Sequence, residues 1–116
     1  MNTPSAGLRE LATALETLWA TIEARKGASP EASYTAKLLH KGVAACAQKV
    51  GEEAIEVALA AVSQSQEDTQ AEIADLLYHL LVLMAAADID ASQVAAKLEA
   101  RSGQSGLAEK ASRTES

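Results

Sequence analysis

The chain has 116 residues, a length that allows one domain with a single hydrophobic core but not two. Hydrophobic residues make up 48% of it, yet its apolar runs are too short and too interrupted to span a bilayer. The formal net charge of −6 argues against a general nucleic-acid-binding protein, which would carry a basic surface.

The residue types that carry the hydrophobicity predict how the protein assembles and where it works. Ala, Leu and Val dominate and Phe is absent, so the core buries little area per residue and a homo-oligomer is expected. Cys46 is the only cysteine and excludes an internal disulfide. Because the N-terminus also lacks a basic-then-apolar signal pattern, we expect a cytoplasmic location, with Cys46 packed inside a helix. Residues 1–116 are interpreted as one domain with a mobile N-terminal arm and C-terminal tail.

An apolar stripe predicts a first helix from about residue 5 to residue 26, ended by Gly27. Its members recur at spacings of three and four: Leu8, Leu11, Leu15, Leu18 and Ile22. No residue of this stripe suggests chemistry. We therefore interpret the helix as a packing or dimerisation element.

The segment from residue 33 to residue 42 is predicted to be a short helical turn. Thr35 can cap it, and Gly42 can break it before the next helix. Lys37 and Lys41 fall one turn apart and form a small basic patch in an acidic protein. The patch is either a phosphate-binding surface or a pair of ordinary surface lysines.

Three longer helices follow. The first runs from Val43 to about Gln64, with a predicted buried stripe of Val43, Ala47, Val50, Ala54, Val57, Ala58 and Ala61. Gly51 costs this helix about 1 kcal/mol relative to Ala, which suggests close approach of another helix or a ligand.

The next helix is capped by Ser65 with Asp68 as its capping-box partner. Its most apolar face comprises Ile73, Leu76, Leu77, Leu80, Leu81 and Met84. Asp90 caps the last helix with Gln93 as its capping-box partner, and Val94 and Leu98 are expected to anchor it.

Carboxylates form the most distinctive pattern of the chain. Glu53 and Glu56 share one helix face with Glu52 beside them, and Glu72 and Asp75 share a face of the following helix. If the two helices are antiparallel neighbours, four carboxylates converge, and Mg²⁺ would relieve their repulsion. The alternative is a pair of solvated acidic faces. His79 shares the second face, and a surface or interface histidine is favoured over a phosphate contact or a partner of a metal ligand.

Several segments together resemble the phosphoribosyl-ATP pyrophosphohydrolase family. They are Ser33-Tyr34-Thr35, Gln48-Lys49-Val50-Gly51-Glu52-Glu53-Ala54-x-Glu56, Ala74-Asp75-Leu76-Leu77-Tyr78-His79-Leu80 and Arg101-Ser102-Gly103-x-Ser105-Gly106-x-x-Glu109-Lys110-Ala111. The E-E-x-x-E and E-x-x-D elements also resemble the wider MazG-like group of all-α NTP pyrophosphatases. The resemblance implies an all-α bundle of four main helices that assembles as a homodimer or higher oligomer. A fused cyclohydrolase domain, found in some relatives, has no counterpart in this sequence.

The resemblance also implies an activity. It is the Mg²⁺-dependent hydrolysis of 1-(5-phosphoribosyl)-ATP to 1-(5-phosphoribosyl)-AMP and pyrophosphate, the second step of histidine biosynthesis. Glu53, Glu56, Glu72 and Asp75 would hold the metal, and Glu52 or Glu53 would orient or deprotonate the attacking water. The substrate-binding candidates are Lys37, Lys41, Lys49, Arg101 and Lys110.

Two alternatives remain at this point. A house-cleaning NTP pyrophosphatase of the same fold would use the same metal site on another nucleotide. A helical oligomerisation module without enzymatic activity would bind no Mg²⁺ and would tolerate replacement of the carboxylates.

Overall fold

The computed structural model describes residues 5–102, which form five helices and no strand. The helices are α1 (Ala6–Arg25), α2 (Tyr34–Lys41), α3 (Val43–Ser63), α4 (Gln66–Ala86) and α5 (Ala91–Arg101). The predicted all-α class is confirmed, and the segment expected to be a short turn is an eight-residue helix, so five helices replace the four expected. In this part of the chain no helix is long and apolar enough to cross a membrane. The predicted mobile arm and tail, and with them Lys110, lie outside the described residues.

Short polar side chains begin four of the helices. The backbone N–H of Leu8 donates to Ser5 Oγ at the start of α1, and that of Asp68 donates to Ser65 Oγ at the start of α4. At α5 the Asp90 side chain caps the first turn, and its backbone N–H donates to Gln93 Oε1 at 2.8 Å, which confirms the predicted capping box. The predicted cap of α2 is wrong, because Ser33 accepts from Ala36 N and Thr35 lies inside the helix.

Helices α3 and α4 form the framework. Two residues connect them, so they return antiparallel, and they make the most extensive helix–helix contact of the described chain. Helices α1 and α2 pack against α4, and α2 also contacts α3. Gly42, with a φ of 96°, allows the chain to change direction between α2 and α3.

The core lies where α1, α2, α3 and α4 meet. Its buried members are Ile22, Leu38, Cys46, Val82 and Ala85, with Leu18, Trp19, Leu39, Tyr78 and Leu81 among the residues packed against it. The thiol of Cys46 donates to the backbone oxygen of Leu38 at 3.3 Å, and burial raises its pKa. A buried thiol held in its protonated form is a packing residue, as predicted.

The predicted buried stripe of α3 is largely wrong. Cys46 and Ala60 are its buried residues, whereas Val43 and the four alanines of the predicted stripe are exposed. Val50 and Val57 of the stripe are partly buried, and so are Lys49 and Glu53 beside them. A Cβ built on Gly51 would meet no atom within 4 Å, so no helix of the described chain approaches it closely.

Burial in the last two helices has further features that the sequence did not predict. In α4 the buried residues are His79, Val82 and Ala85, and the apolar face is partly buried except for Ile73, which is exposed. His79 is therefore not a surface residue. In α5 neither expected anchor is buried, and Leu98 is 63% exposed. The reason is the same in each helix: apolar residues on several faces leave open which face meets the rest of the chain.

Candidate metal and phosphate site

The acidic residues of α3 and α4 lie within electrostatic reach of one another. The pKa of Glu72 is raised, first because its surroundings desolvate the carboxylate and then because of the charges of Asp75, Glu56 and Glu53. This effect couples Glu53 and Glu56 of α3 to the α4 pair, as an antiparallel arrangement of the two helices requires. Closely spaced carboxylates resist simultaneous ionisation.

The chemical type of these side chains suits a hard divalent cation. Glu53, Glu56, Glu72 and Asp75 offer only carboxylate oxygens, the ligand type that Mg²⁺ prefers. Among residues 5–102 no three His, Cys, Asp or Glu side chains are already placed around one ion. A metal ion would therefore have to draw the long glutamate side chains inward. Such an ion would relieve the repulsion among the carboxylates, which adds to the desolvation that raises the pKa of Glu72.

Glu53 has an unusual neighbour on α4. Its Oε1 lies 3.8 Å from Nε2 of His79, and both side chains are largely shielded from solvent. Burial lowers the pKa of His79, although the charge of Glu53 opposes this shift. The burial effect is the larger, so His79 is neutral at neutral pH and the contact is not an ion pair.

Two tyrosines flank His79, and Tyr34, Tyr78 and His79 together form an aromatic cluster. The Tyr78 ring lies edge-on to the imidazole at a centroid distance of 4.9 Å, and the Tyr34 ring does so at 6.1 Å. The tyrosines stack on each other at 6.4 Å, and the Tyr78 hydroxyl is hydrogen-bonded to Thr35 Oγ1. These contacts tie the Ser33-Tyr34-Thr35 segment of α2 to α4 beside the carboxylates. Burial raises the pKa of Tyr78.

Lys49 and Glu52 form a local pair at the edge of this cluster. Lys49 Nζ lies 3.3 Å from Glu52 Oε1, and Gln48 Nε2 donates to the other oxygen of Glu52 at 3.1 Å. The hydrogen bonds from Gln48 and Lys49 lower the pKa of Glu52. Glu52 raises the pKa of Lys49, and Tyr34 does so to a smaller extent. The direct ion-pair partner of Lys49 is therefore Glu52 rather than Glu53.

The remaining basic candidates occupy separate positions. Lys37 lines an open cavity of about 500 Å³ together with Pro30, Glu31, Ser33 and Tyr34. Lys41 and Arg101 are exposed and end α2 and α5, where the helix dipole favours a basic residue whatever its function. Of these three, Lys37 is the one that shares a cavity with a residue of the aromatic cluster.

Comparison with known proteins assigns the chain to a family. Residues 15–102 match the model of the family described as phosphoribosyl-ATP pyrophosphohydrolase, and this match covers most of the chain. The chain belongs to the phosphoribosyl-ATP pyrophosphohydrolase family. The family resemblance drawn from the acidic and Ser-Tyr-Thr segments is therefore confirmed.

Curated relatives of the family match over nearly their whole length. The phosphoribosyl-ATP pyrophosphatase of Parvibaculum lavamentivorans is 59% identical over 104 residues, which are 90% of this chain and 95% of the relative. The protein of the same name from Caulobacter vibrioides is 57% identical over 105 residues, 90% of this chain and 97% of the relative. The one from Cereibacter sphaeroides is 56% identical over 101 residues, 87% of this chain and 98% of the relative.

Sequence reasoning missed two members of the site in this member of the family. Tyr78 enters the sequence analysis only as part of a family segment, and for His79 a surface or interface position is favoured there over a phosphate contact or a partner of a metal ligand. The signal that could have found them is the Tyr-His pair three residues after Asp75. This pair lies near the carboxylates on a helix, and a polar histidine within an apolar run calls for a partner.

Proposed function

We propose that the chain hydrolyses 1-(5-phosphoribosyl)-ATP to 1-(5-phosphoribosyl)-AMP and pyrophosphate with Mg²⁺, in the second step of histidine biosynthesis. The observation that carries this proposal is the match to phosphoribosyl-ATP pyrophosphatases over 95–98% of their length. The carboxylates of α3 and α4 supply the chemistry that such a reaction needs.

Glu53, Glu56, Glu72 and Asp75 would hold the metal. A bound Mg²⁺ neutralises the triphosphate and makes the attacked phosphorus more electrophilic. The four side chains come from two antiparallel helices whose packing sets their spacing. Their all-oxygen character and the raised pKa of Glu72 support this assignment.

Glu53 is the better candidate for the residue that orients and deprotonates water. Glu52 is engaged by Gln48 and Lys49, and its lowered pKa makes it a weaker base. Glu53 faces the α3–α4 interface, where its nearest charged or polar partner is His79 rather than a lysine. We assign the proton of the attacking water to the Glu53 carboxylate.

Lysines would bind the phosphate groups. Lys49 is one turn from Glu53 and its ammonium is paired with Glu52, so it can reach phosphate oxygens next to the carboxylates. Lys37 would meet the substrate in the cavity that it shares with Tyr34. Lys41, one turn from Lys37, remains a candidate for phosphate oxygens, and Arg101 and Lys110 remain candidates for the ribose-phosphate end.

We also propose that two copies of the chain associate. Ile55, Leu59 and Val62 lie on one face of α3 and are exposed, Val62 to 84%. An apolar cavity of about 270 Å³ also opens between α1 and α4. A continuous apolar face of this kind is typical of an interface. A second copy would cover α3 and bury the alanine stripe that is exposed in the single chain.

Association is tested by light scattering on Val62→Glu, with Val94→Glu on α5 as the matched control. We expect the wild type and the control to be dimeric or larger and Val62→Glu to be monomeric or insoluble. An active wild type that is monomeric at micromolar concentration would contradict the proposal.

The activity is tested by pyrophosphate release from purified protein. We expect rapid Mg²⁺-dependent turnover of phosphoribosyl-ATP, slow turnover of canonical or damaged NTPs, and complementation of a histidine auxotroph lacking this step. Asp75→Asn should be inactive, whereas Glu16→Gln, a matched change on exposed α1, should retain activity. Preference for another NTP would support a house-cleaning enzyme, and absence of any turnover would support an oligomerisation module.

A further inference from the structure

In the part of the chain that the structure describes, His79 is the one polar or charged residue that is buried, with only 5% of its surface exposed. It lies in an otherwise apolar stretch of α4, between Leu76 and Val82. Burying an imidazole is unfavourable unless its nitrogens find partners, and an aliphatic side chain would fill the same place without that cost. Packing alone therefore does not account for a histidine here.

The surroundings hold the imidazole in one orientation. Tyr78 and Tyr34 lie edge-on to the ring, with interplanar angles of 76° and 88°. Nε2 then faces Glu53 Oε1 at 3.8 Å, whereas Nδ1 is buried and has no hydrogen-bond partner. The two ring nitrogens thus lie in different surroundings: one faces a carboxylate and the other is buried without a partner.

This difference decides which nitrogen carries the proton of the neutral ring. A proton on Nδ1 would bury a donor without an acceptor and would turn the lone pair of Nε2 toward a carboxylate. A proton on Nε2 faces an oxygen that can only accept, and leaves just an unpaired acceptor at Nδ1. The Nε2–H tautomer is therefore favoured. A distance of 3.8 Å is longer than a hydrogen bond, and a small rotation of the Glu53 side chain would close it.

We propose that His79 is a positioning residue for Glu53: its Nε2–H holds Oε1 of the carboxylate and leaves the other oxygen free to act on the attacking water. The proposal rests on the role given to Glu53 under the proposed function. His79 itself contacts neither metal nor substrate. Partners of metal ligands typically change metal affinity or activity by about 10- to 100-fold when they are replaced.

The tautomer can be measured in the metal-free protein by long-range ¹H–¹⁵N correlation of the imidazoles. The chain has only two histidines, so His40→Gln, on the exposed surface, assigns the signals without touching the site. We expect His79 to be locked as the Nε2–H tautomer, and Glu53→Leu to release that lock. An Nδ1–H tautomer, or a tautomer mixture like that of a free imidazole, would overturn the proposal.

The effect on the site is measured with a pair of variants. His79→Gln keeps an N–H donor near the position of Nε2, whereas His79→Leu keeps the bulk and removes the donor. We expect His79→Leu to lower kcat and Mg²⁺ affinity by about 10- to 100-fold with little change in KM, and His79→Gln to lose less than about tenfold. Equal activity of the two variants, or wild-type kcat in His79→Leu, would contradict a positioning role.

Two further observations separate the possible failures. If His79→Leu does not fold, as judged by circular dichroism, the tautomer and the His79→Gln kinetics still decide the matter. If Glu53→Gln keeps full activity, the assignment of Glu53 under the proposed function fails, and this proposal fails with it. If Glu53→Gln is inactive while His79→Leu is fully active, only the positioning role is overturned.

Discussion

Replacing Lys49 by Ala separates a phosphate-binding lysine from one that only pairs on the surface. Its ammonium lies 3.3 Å from Glu52 Oε1, and the side chain is 33% exposed. An exposed pair within one helix contributes little to stability. If that pair is the whole role of Lys49, Lys49→Ala should change the melting temperature slightly and leave catalysis unchanged.

A phosphate contact predicts a different magnitude. Hydrogen bonds between charged groups are roughly twice as strong as neutral ones, and losing about 2–3 kcal/mol of transition-state binding lowers kcat/KM roughly 30- to 150-fold. We expect a loss in this range. Mg²⁺ affinity without substrate should hardly fall, because Lys49 is not a ligand, and removal of its positive charge can even increase it.

The assay measures kcat/KM by pyrophosphate release and Mg²⁺ binding by calorimetry on the same preparation. Lys97→Ala, on exposed α5, is the matched control and should behave like the wild type. Unchanged kcat/KM in Lys49→Ala would refute the reasoning. A parallel loss of Mg²⁺ affinity would do so as well, because it would show that the substitution disturbs the carboxylates rather than a phosphate contact.

Three further predictions follow from the protonation states. The pKa of Glu72 is raised in the folded protein, so the stability that this residue contributes is present below about pH 4.3 and is lost as pH rises through the folded pKa. Glu72→Gln should therefore have a higher melting temperature than the wild type at neutral pH without Mg²⁺, but not at acidic pH. Tyr78→Phe loses the bond to Thr35 and should cost about 1 kcal/mol at pH 7. Because the pKa of Tyr78 is raised, its contribution is lost as pH rises above about 10, so denaturant titrations of the variant and the wild type should converge there. Cys46, buried with a raised pKa, should react with a thiol reagent only as fast as the protein opens, and rapid labelling of the folded protein would contradict its packing role.

The sequence by itself determined the local features of this protein. The spacing of apolar residues predicted the helices, and Ser65 and Asp90 predicted the positions where two of them begin. Each of these features depends on residues within about one turn of one another. The acidic pairs Glu53/Glu56 and Glu72/Asp75 were identified for the same reason, because residues three or four apart on a helix share a face.

Only the tertiary structure decided which faces meet. Alanine is small enough to pack against a neighbouring helix and also tolerates exposure, so periodicity on the alanine-rich α3 predicted burial of four alanines that the structure leaves exposed. The face of α3 that packs on α4 carries Glu53, and the Glu53 carboxylate therefore lies next to His79 of α4. The burial of His79 therefore depends on contacts among α2, α3 and α4 that lie up to 45 residues apart in the chain, from Tyr34 to His79. A local pattern contains no information about contacts at that separation.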